Sequence, residues 1–373
     1  MKNTFGNNIT VTLFGESHGE YIGTVLDGIA PGTEIDEKFI KKRLASRRPA
    51  IDGISTERAE EDDFNIISGV FDGNTTGAPL CILIKNTDAD SAGYLRNAGK
   101  ARPGHADYSA YAKYFGYEDY RGGGHFSGRL TAALVAAGAV CELMLKKKNI
   151  AVGTHVLRCG GECDRPFGDA EKDIALLEKQ KFPTLSAAAG KKMMQRILAA
   201  KEDGDSVGGI TETVITGVPA GVGEPWFDTF EGMLSHAMFS VPAVKGVQFG
   251  AGFGLSDMRG SEANDAFALR DGRIVTETNN AGGINGGISN GMPIVFSCAV
   301  KPTPSILKEQ RTVNFLEGNE TTVSSAGRHD PAIVHRACPV VTALAAIVVC
   351  DMLVARYGTD FTIREQNDEA LMP

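Results

Sequence analysis

Three short segments combine imidazole, carboxylate and guanidinium groups with glycine or proline, the mixture that proton transfer to an anionic substrate would use. The first is Gly15-Glu16-Ser17-His18-Gly19, where His18 stands in a turn that can approach a ligand closely. An imidazole there can exchange a proton near neutral pH, although a turn histidine is more often only solvated. The second is Arg102-Pro103-Gly104-His105-Ala106-Asp107, in which Asp107 either orients His105 or caps the helix that follows. The third is Arg328-His329-Asp330-Pro331. Asp330 precedes a proline and so favours extended backbone. It is either a helix cap or a carboxylate beside a cation, placed to move a proton.

Arginines add anion-binding capacity: Arg43, Arg47 and Arg48 in one run, then Arg121 and Arg129 around Gly122, Gly123 and Gly124. The plain reading of such runs is a solvated face. Guanidinium is nevertheless well suited to bidentate recognition of phosphate and carboxylate. The sequence has no GxxxxGK[ST], and Gly250 and Gly252 lack the third glycine of a dinucleotide fingerprint. Phosphate would therefore be held by side-chain cations and loop amides. His155, Cys159 and Cys163 recur at intervals of four, but no fourth ligand and no paired CxxC accompanies them, so no metal is expected.

These groups need a scaffold. Residues 11–15 and 22–29 read as a strand pair holding the His18 turn. Residues 36–47 read as a helix capped by Asp36 and stopped before Pro49. Residues 66–70, 80–84, 210–218 and 293–300 are further strands, and 170–180 and 185–201 are surface helices. Residues 127–148 and 340–356 are apolar almost all round and read as buried helices.

The chain has 373 residues, 42% hydrophobic and 23% charged, which is the composition of a globular protein. A net charge of −8 argues against a nucleic-acid partner. Seven cysteines at irregular spacing fit reduced thiols. The polar first residues lack a secretory apolar stretch, and the apolar runs fall short of the ~20 residues of a membrane span. The expectation is a cytoplasmic protein with no membrane partner. No low-complexity linker or internal repeat divides it, so residues 1–373 are expected to form a single domain.

Taken together and in order, GESHG, RPGHADY, RGGG before a long apolar helix, GVPAGVGEP, AVKGVQFG, AGGINGGISNG, VKPTPSI and GRHDP resemble the chorismate synthases. The resemblance runs from about residue 8 to about residue 354. It implies an α+β fold with one large β-α-β sandwich core, helices packed between antiparallel sheets, and a homotetramer. It implies a carbon–oxygen lyase that removes phosphate from 5-enolpyruvylshikimate 3-phosphate to give chorismate. Reduced FMN is the implied cofactor, with NADPH as the flavin's reductant in some members.

By the same resemblance, His18 would protonate the leaving phosphate, His105 would lie beside the flavin, and Asp330 would manage the proton at its reactive nitrogen. Arg48 and Arg129 would grip the substrate. His125, Phe126, Ser127, Ala243, Gly286, Lys301, Pro302, Thr303, Pro304, Ser305 and Arg328 would line the FMN. The chain also departs from the pattern. Many relatives read Arg-Ser-Ser-Ala-Arg-Glu-Thr-Ala where this one has His125-Phe126-Ser127-Gly128-Arg129-Leu130-Thr131-Ala132. Gly53 replaces a basic residue, and Pro242 stands where an asparagine precedes Ala243. Protonated His125 could keep a positive charge there; Phe126 can only pack. Two other classes stay open: a flavin-binding paralogue without catalysis, and a nicotinamide-dependent reductase.

Overall fold

Alternating burial builds the first sheet. Leu80, Ile82 and Ile84 point inward from one strand, and Ile22 and Leu26 face them from its neighbour. The computed structural model describes residues 2–49, 53–55, 61–87, 97–324 and 330–363. The strands of this sheet are β1 (Thr4–Phe5), β2 (Thr10–Gly15), β3 (Tyr21–Asp27), β4 (Phe64–Ser68) and β5 (Leu80–Lys85), ordered β1-β2-β3-β5-β4 and antiparallel throughout. The second sheet comprises β6 (Ala151–Cys159), β7 (Glu162–Cys163), β8 (Gly209–Thr216), β9 (Val244–Phe249) and β10 (Ile294–Val300), ordered β9-β10-β8-β6-β7 and also antiparallel.

The helices that matter to the site are α1 (Glu37–Arg47), α2 (Asp107–Tyr114), α3 (Thr131–Lys146), α4 (Phe230–Met238) and α5 (Val334–Tyr357). Asp36 caps α1, accepting from the backbone N–H groups of Lys38 and Phe39 at 2.9 and 3.1 Å. The α3 helix packs on β3, β5 and α5, while α5 packs on β6 and β8. Their crossing is close because the contact residues are small. A Cβ on Gly138 would lie 2.3 Å from the Cβ of Ala343, so glycine is needed at that point.

Two helical stretches, Gly128–Lys146 and Val334–Tyr357, are long and apolar enough to cross a membrane, contrary to the length expected from sequence. However, 89% and 94% of their apolar windows are buried inside the fold. The underestimate has a local cause. The last helix starts at Val334 rather than residue 340 and runs through Pro339. Asp351, 1% exposed on this apolar helix, accepts from the backbone N–H groups of Asn7, Asn8 and Ile9 at 3.0, 2.6 and 2.9 Å. It pins the loop before β2 to the core.

Strands β6 and β9, helix α4 and a hairpin pairing Gln310–Asn314 with Asn319–Val323 were not foreseen. In β6 the polar Thr154 and His155 are buried, which breaks the polar–apolar alternation that marks a strand.

Candidate active site

A cavity of about 1330 Å³ opens where the C-terminus of α1 meets the N-termini of α3 and α5. It is lined by His105, Asp330, His125, Phe126, Ser127, Ala243, Lys301, Thr303, Pro304, Ser305, Arg48 and Arg129. The structure thus gathers most of the residues singled out from sequence. Three of them, His18, Pro302 and Gly286, do not line it; Gly286 sits in a tight hairpin between Ile284–Asn285 and Ile288–Ser289. Arg328 lies outside the described residues.

His18 stands directly behind the wall. A Cβ built on Gly122, which lines the cavity, would fall 2.3 Å from His18 Cδ2 and 2.4 Å from Nε2. The turn that carries His18 is fixed by its backbone. Asn86 Nδ2 donates to the carbonyls of Glu16 and Gly19 at 3.0 and 2.8 Å, and Ser17 N–H donates to Gly124 at 3.1 Å. The hydrogen bond from Arg121, with a smaller contribution from the charge of His18, holds the Asp119 carboxyl below its ordinary range.

His105 Nε2 and the Ser305 hydroxyl share a hydrogen bond of 2.7 Å. This ties the turn before α2 to the segment after β10, and Lys301 reinforces the tie by donating to the Gly104 carbonyl. Asp107 neither orients His105 nor caps α2. It is the first residue of that helix and takes a bidentate pair from Arg102, at 2.8 and 2.7 Å. Burial raises the Asp107 carboxyl, but the Arg102 bonds outweigh that and hold it below the usual carboxylate range.

Asp330 is not a helix cap either, because α5 begins after Ile333 with no side-chain cap. Its carboxylate pairs with Arg336, whose Nε donates to the Arg47 carbonyl at 3.0 Å. Arg47 in turn donates to Thr131 at 2.9 Å, to Asp62 at 3.1 Å and to the Gly128 carbonyl at 3.1 Å. Asp62 also pairs with Arg129, whose other donors reach Asn86 at 2.9 Å and the Lys85 carbonyl at 3.1 Å. Side chains of Arg129 and Asp62 are 3% and 0% exposed, so this guanidinium is built into the wall.

Other cations are free of such pairing. Among the described residues, Arg48 Nη1 meets the Glu61 carbonyl at 2.7 Å, and Lys301 meets the Gly104 carbonyl. Both bond neutral acceptors, and neither has an ion-pair partner among the described residues. Arg43 belongs to another place, paired with Glu142 and Glu178 at 2.6 Å each.

The residues present fit a flavin phosphate ester. Thr303 Oγ1 is buried and has no hydrogen-bond partner among the described residues. Gly104 leaves space that a Cβ would close, at 2.8 Å from Pro304. His125 donates Nδ1–H to the Gly15 carbonyl at 2.8 Å, which turns its Nε2 edge away from β2. Phe126 is 44% exposed and offers an apolar face. Ala243 holds φ at +75°, a conformation that directs its carbonyl to the Lys301 N–H at 3.0 Å.

Sequence reasoning missed Arg336, Asp62 and Lys245, all of which line the cavity. Arg336 had a readable signal, since a cation in the first turn of a helix opposes the helix dipole. Among the described residues, no group of three His, Cys, Asp or Glu side chains could hold a metal. His155 is instead buried between Glu212 at 3.0 Å and Asp164 at 3.3 Å.

Comparison with known proteins adds an independent line. The family profile described as chorismate synthase matches residues 9–354. A chorismate synthase of Pyrococcus abyssi is 47% identical over 351 residues, covering 94% of this chain and 97% of its own. One of Archaeoglobus fulgidus is 48% identical over 352 residues, covering 94% and 97%. A solved structure described as "Crystal Structure of Chorismate Synthase" matches with a TM-score of 0.76 at 30% identity, covering 96% of this chain and 95% of that one.

Proposed function

The chain belongs to the chorismate synthase family, lyases that eliminate phosphate from 5-enolpyruvylshikimate 3-phosphate, and we propose that the cavity at the meeting of α1, α3 and α5 is where it does so. The carrying observation is the convergence of His105, Asp330, Arg48 and Lys301 on one cavity, with His18 behind Gly122.

The net reaction breaks a ring carbon–oxygen bond to phosphate and a ring carbon–hydrogen bond, and forms a carbon–carbon double bond. Phosphate leaves with the bonding pair and the hydrogen leaves as a proton, so no net oxidation occurs. Reduced FMN, the proposed cofactor, would when bound supply electron density to an otherwise unactivated ring. Arg48 holds substrate anions with its guanidinium charge. His18 delivers a proton toward the departing phosphate past Gly122. Asp330, a carboxylate lining the cavity, takes up the proton that must be moved. Arg129 acts through the wall rather than by contact, because Asp62 and two neighbouring oxygens occupy its donors. His105, anchored by Ser305, sets the electrostatics beside the flavin ring. Thr303, Ser127, Phe126, His125, Ala243, Pro304 and Lys301 hold the cofactor.

The same reading takes the fold as one domain, a β-α-β sandwich with α3 and α5 between its sheets. It takes the active form as a cytoplasmic homotetramer and leaves NADPH as a reductant to be tried. The test is an anaerobic assay of purified protein with substrate and reduced FMN, with and without NADPH. One phosphate per chorismate is expected, with the flavin still reduced at the end. Stoichiometric flavin oxidation, or no turnover with reduced FMN, would overturn the proposal.

A further inference from the structure

We propose that Arg336 is the positioning residue of Asp330, fixing its carboxylate against the C-terminal carbonyl of α1. The inference rests on the reading of Asp330 as the group that handles the proton. Arg336 makes two contacts from separate nitrogens of one planar fork: Nη1 to Asp330 Oδ2, and Nε to the Arg47 carbonyl at 3.0 Å. The side chains of Arg336 and Asp330 are 16% and 12% exposed, and both line the cavity.

The local sequence gives no structural reason for this arginine. It lies in the first turn of α5, which contains no acidic residue. A cation there opposes the positive end of the helix dipole and disfavours the helix. Local rules broken in this way mark functional positions. What Arg336 gains is geometric. Arg47 ends α1, so its carbonyl is one that the helix leaves without an internal partner. Satisfying that carbonyl and Asp330 together locks the carboxylate to α1.

The lock extends further. The Arg47 side chain grips Gly128 and Thr131 at the start of α3 and shares Asp62 with Arg129. On the other side, the Pro331 carbonyl accepts from Val207 N–H at 2.9 Å and fixes the backbone next to Asp330. Beyond this backbone placement, Arg336 constrains the Asp330 carboxylate directly. Lysine cannot replace it, because a single ammonium does not reproduce two donors held in a rigid fork.

The experiment uses the full chain with reduced FMN under anaerobic conditions. Asp330→Asn, Arg336→Gln, Arg336→Ala, Arg336→Lys and the double variant Arg336→Gln/Asp330→Asn are compared for kcat, KM and thermal unfolding. Asp330→Asn and Arg336→Gln should each lose kcat on the order of a hundredfold, the scale of a displaced acid–base group, with KM changed only a few-fold. The double variant should lose no more than Asp330→Asn alone, because both changes disable one unit. Free guanidinium at non-denaturing concentration should restore part of the activity of Arg336→Ala and none of that of Asp330→Asn. Should Arg336→Gln fail to fold, Arg336→Lys and the guanidinium response carry the same comparison.

Near-wild-type kcat in Arg336→Gln beside an inactive Asp330→Asn overturns the proposal, and so do losses that multiply in the double variant. Full activity in Asp330→Asn overturns the reading of Asp330 itself and identifies the failure at that earlier step.

Discussion

Gly122 separates His18 from the cavity, and replacing it with alanine displaces that imidazole without touching its chemistry. The new Cβ would lie 2.3 Å from His18 Cδ2, 2.4 Å from Nε2 and 2.7 Å from Ser17 Oγ, where ordinary van der Waals contact starts at 3.4 Å. The imidazole must therefore retreat by about 1 Å, a misplacement that can cost on the order of a hundredfold in rate. Gly122 also has φ of +60°, so alanine adds about 1–2 kcal/mol of backbone strain. Gly123→Ala supplies the control. It has φ of +81°, and its nearest neighbour to a new Cβ is Ser127 Cβ at 3.9 Å, so it carries the strain without the clash. Both variants should unfold at lower urea by similar amounts. Only Gly122→Ala should drop in kcat by about a hundredfold, close to His18→Ala, in the anaerobic assay of phosphate release. Equal kcat in two folded variants would show that the position of His18 behind Gly122 does not govern the reaction.

Asp351→Ala removes the acceptor of three backbone N–H groups and strands that of buried Ile9, whereas Asn7 and Asn8 are exposed. It should lower unfolding stability by about 1–3 kcal/mol, read from the urea midpoint; no measurable loss would mean that water replaces the carboxylate. For His155, burial lowers the pKa, but the bonds to Asp164 and Glu212 outweigh it and hold it above 6.5. Its contribution is thus complete below the unfolded value and fades as pH rises through the higher folded one. The stability gap between wild type and His155→Gln should shrink from pH 6 to pH 9 (roughly the range around an imidazole pKa), and a widening gap would refute that sign. Burial pushes the Cys159 and Cys298 thiols up to about 12, whereas Cys163 is exposed. A thiol reagent should label Cys163 first on the native protein and reach Cys159 and Cys298 only after unfolding, as peptide mapping would show.

Legibility of the fold followed the strength of local pattern. The strand pair that flanks the His18 turn is rich in β-branched residues, and α3 and most of α5 are apolar almost all round, so residue types alone located them. Strand β6 was not legible in this way, because His155 is inward-facing, bonded to Glu212 at 3.0 Å and within 3.3 Å of Asp164, partners that lie elsewhere in the chain. Helix α5 starts ahead of the apolar run that begins at residue 340 and carries Pro339 in its second turn.

The site was legible as a set of residue types and illegible as a distribution of charge. Arginine runs on the page look alike, yet tertiary pairing divides them. Arg43 is neutralised by Glu142 and Glu178, Arg102 by Asp107, Arg121 by Asp119 and Arg336 by Asp330. Arg47 and Arg129 share one carboxylate, Asp62, in the wall. Arg48 and Lys301 meet only carbonyls among the described residues. Lys2, Lys100 and Lys245 also line the cavity, beside Asp62, Asp107, Glu118, Asp119 and Asp330, so an acidic chain presents a cationic cavity because its cations outnumber its carboxylates there. This is also why His125 is a weaker replacement than the family pattern implies. Its Nδ1–H is committed to Gly15, so the imidazole can offer an anion a donor only from Nε2 and only when protonated. An arginine at that position would bring a permanent charge and several donors, whereas this chain leaves Arg48 and Lys301 to supply the permanent charge.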